Sequence, residues 1–198
     1  MKSLENLVWI DCEMTGLSVE KDCLVEIAVL ITDSELNILD AGLSVVIQPR
    51  EDSLAGMGEF VTLMHKESGL LELLAKGTPL NQAEKQVLDY VKKFAPEPRT
   101  APLAGNSIGT DRMFLNRYMP ALDSHLHYRN IDVSSIKELV RRWYPKVYFQ
   151  LPKKEGGHRA LADIRESIAE LAYYRRAVFV EAPGPTTDQA KTIAEQTQ

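Results

Sequence analysis

The chain has 198 residues, 44% hydrophobic and 26% charged, with no apolar run long enough to span a bilayer, so one soluble domain with at most a tail is expected. The formal net charge of -5 argues against a long basic groove for extended nucleic acid, but leaves room for a small phosphate site whose positive charge comes from divalent cations. Cys12 and Cys23 lack metal-finger spacing and read as reduced, buried thiols; the opening Met1-Lys2-Ser3-Leu4-Glu5-Asn6 has no secretory pattern, which points to the cytoplasm.

Leu7-Val8-Trp9-Ile10 is a short apolar run that ends at Asp11 and reads as a buried strand. Stretches 24–32 and 38–48 are rich in β-branched and apolar residues, with a turn at 33–37, so the first three strands form an antiparallel meander. Val61, Met64, Leu70, Leu71 and Leu74 recur at helical spacing, and Gly69 splits that stretch in two. Thr78 and Pro79 read as N-cap and first residue of a helix that runs to about Phe94 and stops at Pro96-Glu97-Pro98. A short strand over 102–106 leads to a helix from Asp111 to about Tyr118. A strand over 128–133 precedes a helix capped by Ser134 or Ser135 that reaches Trp143, and a last helix spans about 160–178. Strands first, then helices alternating with strands, predict an α/β fold: a mixed five-stranded sheet flanked by helices. The polar stretch from Glu181, with Pro183-Gly184-Pro185, reads as a flexible C-terminal tail, 181–198, behind a domain over 1–180.

Three short motifs carry chemistry. Asp11-Cys12-Glu13 closes the first strand, and residues i and i+2 of a strand share a face, so two carboxylates stand side by side. They ionise together more easily with a cation between them, although D-x-E alone also describes a solvated strand end. Gly105-Asn106-Ser107-Ile108-Gly109-Thr110-Asp111 is a small-residue loop delivering Asp111 to a helix start, where an acidic residue also suits the helix dipole. His158-Arg159-Ala160-Leu161-Ala162-Asp163 follows Gly156-Gly157, placing His158 on a loop and Asp163 in apolar surroundings that make an unpartnered carboxylate costly. Each motif is modest alone. Together they bring four carboxylates and no thiolate to one spot, which suits two hard cations such as magnesium or manganese. Such ions clamp the attacking and leaving oxygens of a phosphodiester, with His158 as general base.

Trp9-Ile10-Asp11-Cys12-Glu13-Met14-Thr15-Gly16-Leu17, the 105–111 segment and the 158–163 segment resemble the three motifs of the DEDDh 3′-to-5′ exonuclease superfamily, with His158 marking that branch. The resemblance is closer to the oligoribonuclease family. It extends to about Phe179 and includes Met64-His65, Ser68-Gly69-Leu70, Arg112, Phe114-Leu115, Tyr128-Arg129, Ile131-Asp132-Val133-Ser134 and Lys137-Glu138-Leu139. It implies a ribonuclease H-like fold, a homodimer, and hydrolysis of short single-stranded RNA, dinucleotides above all, to 5′-mononucleotides. It also implies that Asp11, Glu13, Asp111 and Asp163 are metal ligands, that His158 is the base, and that Leu17 is wedged against the bases. His65 and Ser134 match contacts to the substrate's 5′ phosphate, joined by Tyr128 and Arg129 from the partner subunit. Phe60 stands where many relatives have tryptophan, and offers a base less stacking area. Two other readings are a DEDDh proofreading or trimming exonuclease on longer DNA or RNA, and a catalytically silent nucleic-acid binding module. Enzymes of the first kind often depend on a polymerase or an extra binding domain, and missing acidic residues would mark the second.

Overall fold

The fold is described from a computed structural model, for residues 6–153 and 159–197. Five strands form one sheet in the order β3-β2-β1-β4-β5: β1 Leu7–Met14, β2 Leu24–Thr32, β3 Leu43–Val46, β4 Pro102–Gly105 and β5 His127–Asp132. β1, β2 and β3 pair antiparallel, whereas β4 runs parallel to β1 and β5 parallel to β4. The expected meander and mixed sheet are thus present, and the structure adds that β4 and β5 join in parallel. Its third strand is shorter than the 38–48 stretch suggests. Gly42, at φ +91°, turns the chain out of the sheet before Leu43, and Ile38 keeps only an isolated bridge to Thr32.

Between β3 and β4 lie α1 Glu51–Ala55, α2 Glu59–Glu67, a 3-10 turn Leu71–Lys76 and α3 Leu80–Phe94. Gly69, at φ +73°, separates α2 from the 3-10 turn, as expected. α3 begins one residue later than Thr78-Pro79 suggests. Thr78 is held by the sheet: its N–H donates to Val46 O at 2.8 Å and its carbonyl accepts from Gln48 N at 3.0 Å, so it cannot act as a cap. Past β4 come α4 Gly109–Tyr118 and α5 Pro120–His125, then, past β5, α6 Val133–Trp143 and α7 Pro145–Tyr148. The cap of α6 is Asp132 rather than a serine: its carboxylate accepts from Ser135 N at 3.2 Å and from Ser135 Oγ at 2.6 Å. α8 Ala160–Ala177 follows the third motif.

The sheet separates two cores. On one face Val8, Ile10, Cys12 and Met14 of β1 pack with Val87 and Val91 of α3, Phe114 and Leu115 of α4, and Leu122 of α5. On the other, Trp9, Ala28, Leu30 and Ala104 pack with Val140 of α6 and with Ile164, Ile168, Leu171 and Tyr174 of α8. Trp9 is fully buried, and its indole N–H donates to Thr32 Oγ1 at 2.9 Å, satisfying the one polar atom the ring carries. Both cysteines are buried free thiols.

Residues 181–198, expected as a flexible tail, include a ten-residue helix, α9 Thr187–Gln196. A capping box between Thr186 and Gln189 starts it, a local signal that the polar composition hides. None of its residues is buried. No helix among the described residues is long and apolar enough to cross a membrane.

Candidate active site

The alternation of β1 gives the site its geometry. Its even-numbered residues from Val8 to Met14 fill the α3–α4 core. Trp9, Asp11 and Glu13 therefore face α8. α8 starts at Ala160, so Asp163 falls in its first turn, above the end of β1. One oxygen from each of Asp11, Glu13 and Asp163 lies within 4.8 Å of the others. These three residues are the predicted ligands that the fold brings into one cluster.

Asp111 stands beside them. It is 7% exposed, in the first turn of α4, and its Oδ1 accepts the Cys12 backbone N–H at 3.0 Å. That bond ties the α4 carboxylate to β1 between Asp11 and Glu13. His158 lies outside the described residues.

The electrostatics call for a cation. Burial first, then the charges of Asp111, Glu13, Asp163 and Glu26, push the Asp11 carboxyl up to about 9. Burial and the neighbouring Asp163, Glu26 and Asp111 push Glu13 up to about 8, while the Arg159 guanidinium pulls it down. Burial raises Asp111 to about 6 against the lowering effect of the Cys12 N–H. A carboxylate cluster so reluctant to ionise, with oxygen ligands alone, fits hard divalent cations.

Glu26 escaped sequence reading. It is 1% exposed on β2, directly across from Glu13 in the antiparallel register. Ser44 Oγ donates to it at 2.7 Å, and Arg159 donates through Nε at 3.2 Å and Nη2 at 2.9 Å. The two-pronged Arg159 contact compensates a charge that burial would otherwise expel. The signal was present as one carboxylate in the nine-residue run Leu24–Thr32, every residue of which is buried.

The remaining candidates fall into two groups. Leu17 and Phe60 are 78% and 79% exposed, as suits side chains that meet a ligand. On the edge strand β5, Tyr128 is 73% exposed, with the Arg129 guanidinium 5.4 Å from its ring centre. Ser134, half-buried in the first turn of α6, has its Oγ 3.0 Å from Ser107 Oγ. His65 differs: it is fully enclosed, with Nε2 2.8 Å from Met14 O and Nδ1 3.9 Å from a Glu13 oxygen. In this conformation its ring supports the end of β1 from beneath rather than opening to a ligand.

A family model described as Exonuclease matches residues 8–171. The oligoribonuclease of Leifsonia xyli subsp. xyli is 64% identical over 97% of this chain and 93% of its own. Those of Streptomyces coelicolor and Mycobacterium avium are 62% and 59% identical over 96% of this chain, and 95% and 89% of theirs. The chain belongs to the oligoribonuclease family of exonucleases. It is accordingly a nuclease, a hydrolase of phosphodiester bonds. Among solved structures it is similar to exonuclease I from Methylocaldum szegediense, with TM-score 0.62, 18% identity, and coverage of 88% of this chain and 41% of that one. An exonuclease I from E. coli, crystallised with an oligonucleotide, gives TM-score 0.66 at 18% identity over 98% of this chain and 43% of its own. The chain spans about two fifths of those larger proteins, and the likeness establishes the ribonuclease H-like fold.

Proposed function

We propose that the protein is a 3′-to-5′ exoribonuclease that hydrolyses short oligoribonucleotides, dinucleotides above all, to 5′-mononucleotides. The observation that carries the reading is the half-buried Asp11, Glu13 and Asp163 cluster at the end of β1, in a chain about as long as oligoribonucleases to which it is 59–64% identical. Asp11, Glu13, Asp163 and Asp111 would hold two divalent cations, magnesium or manganese, which would supply Lewis-acid stabilisation of the attacking and leaving oxygens. His158 takes the proton of the attacking water, a role assigned from its place in the third motif. Leu17 and Phe60 present apolar surface to the bases, and Phe60 stacks with a smaller face than tryptophan would.

The substrate's 5′ phosphate is met by Ser134, with Ser107 beside it, and by Tyr128 and Arg129 of the second protomer in a homodimer. Supporting the dimer, β5 is an open sheet edge, and Tyr128 on it and Trp143 at the end of α6 are exposed aromatics. His65 joins this set only if its bond to the Met14 carbonyl opens. Residues 1–180 form the exonuclease unit, 181–198 are an appendage to it, and the protein works in the cytoplasm.

The deciding experiment compares 5′-labelled pApA with a long single strand, in magnesium and in chelator. The dinucleotide is expected to turn over far faster, and chelator to stop both reactions. Equal rates on the two lengths would remove the short-substrate claim and favour a trimming exonuclease. Full activity in chelator would remove the metal mechanism. Asp163→Ala is expected to abolish turnover, and wild-type rates in that variant would remove Asp163 from the ligand set.

A further inference from the structure

Behind Ser134 runs a line of side chains that ends on the metal-site helix. Ser107 Oγ lies 3.0 Å from Ser134 Oγ, and Ser134 Oγ donates to Asn106 Oδ1 at 3.1 Å. Asn106 Nδ2 donates to Ser167 Oγ at 2.8 Å and lies 3.4 Å from Glu170 Oε2. Ser167 Oγ donates to the carbonyl of Asp163 at 2.9 Å.

The direction of every bond in this line is forced, because a hydroxyl has one hydrogen and a carbonyl has none. The Asp163 carbonyl only accepts, so Ser167 spends its proton there and offers a lone pair to Asn106. The Glu170 carboxylate also accepts, which turns the amide nitrogen of Asn106 towards α8 and its oxygen towards Ser134. Ser134 must then donate to Asn106, and Ser107 must donate to Ser134. Glu170 is itself fixed: it is 3% exposed, 3.2 Å from Lys137 Nζ, and accepts from Tyr174 OH at 3.1 Å. At the other end Ser107 is exposed and held at φ +54°, a backbone state that costs a non-glycine residue free energy. Its proton is the one in the line that can turn to an incoming anionic oxygen without stranding a buried group.

We infer that Asn106 is a positioning residue which locks the Ser107–Ser134 pair in register with the helix carrying Asp163, and so fixes the distance between the phosphate end of the substrate and the reacting end. The inference rests on the reading that the 5′ phosphate is met at Ser134, where the Ser107 hydroxyl supplies the hydrogen bond to it. A rigid spacing between the two ends selects a substrate by its length. The same serines on a loosened loop would still bind phosphate, but at no set distance from the metal ligands.

Steady-state kinetics on pApA and on ApA, which lacks the 5′ phosphate, test this in the wild type, Asn106→Ala and Ser167→Ala. The wild type is expected to prefer pApA. In Asn106→Ala the preference in kcat/KM falls roughly tenfold, the scale of one lost charge-assisted hydrogen bond, and the change sits in KM for pApA. Ser167→Ala, which leaves Asn106 in place but removes the shorter of its two contacts to α8, shifts the preference in the same direction and serves if Asn106→Ala fails to fold. A wild-type preference that survives both substitutions overturns the positioning role. So does a loss carried by kcat and shared equally by the two substrates, which would place Asn106 in support of Asp163 alone. A wild type that does not distinguish pApA from ApA removes the phosphate-end reading itself, and the inference with it.

Discussion

Asp11 and Glu13 carry the largest consequence at the scale of single residues. Burial and mutual repulsion hold their carboxyls at about 9 and about 8, far above the ordinary values of 3.8 and 4.5. Through the interval between those values the folded protein without cations keeps protons that the unfolded chain releases. Raising the pH therefore costs stability, and the cost is complete only above the folded-state values. A bound divalent cation takes the place of those protons. The melting temperature of chelator-treated protein is thus expected to fall from roughly pH 4 to about pH 9, and the increment from magnesium or manganese to grow over the same range. Glu13→Gln should flatten the cation-free profile while lowering turnover roughly 100-fold, since even groups behind a metal ligand are worth up to that. Differential scanning calorimetry across pH checks the first outcome, and a cation-free melting temperature that rises with pH contradicts it. The candidate ligands were legible because they lie in short, spaced carboxylate motifs. Glu26 was not, because a single acid in an apolar strand gives no sign that Arg159, 133 positions away, will pair with it.

Among the elements, β4 is the one that most constrains the site. Gly105 ends it against β1, and a Cβ there would sit 3.0 Å from Ile10 O and 2.7 Å from Ile108 Cγ2. The carbonyl it would press on immediately precedes Asp11. Gly105→Ala is expected to destabilise the fold by about 1–3 kcal/mol, the usual cost of overpacking, and to lower kcat as the two strands part. Urea denaturation and a dinucleotide assay read the two effects, and an unchanged midpoint would show that the strands have room to spare. Helices and strands were legible where periodicity runs long, as in α3 and α8. They were misread where another group takes the part that the local sequence offers. Thr78 looks like a cap until β3 takes its N–H, and Ser134 looks like a cap until Asp132 does the capping. Single-turn helices such as α1 and α7 gave no periodic signal to find.

Across the whole molecule, the resemblance carried what strand counting could not. Five strands and flanking helices were readable from patterning, but the parallel pairing of β4 with β1 joins residues about a hundred positions apart. Local propensity does not encode such a pairing. The tail shows the reverse: α9 is written locally in its capping box, yet contributes nothing to either core. Removal of residues 181–198 should leave the melting temperature and dinucleotide turnover close to wild type, because no buried surface is lost. A large drop in either would reveal a contact of the tail with another copy. The two-sided character of β1 also bears on how the protein comes to life after synthesis. Cys12, between Asp11 and Glu13, faces the opposite core, so a one-residue slip of this strand would exchange a thiol for the carboxylates and bury charge among aliphatic side chains. A chain with its central strand misaligned is thus both unstable and inert. Recovery of hydrolysis after dilution from denaturant would therefore report sheet alignment itself, and no half-correct isomer should contribute to that signal.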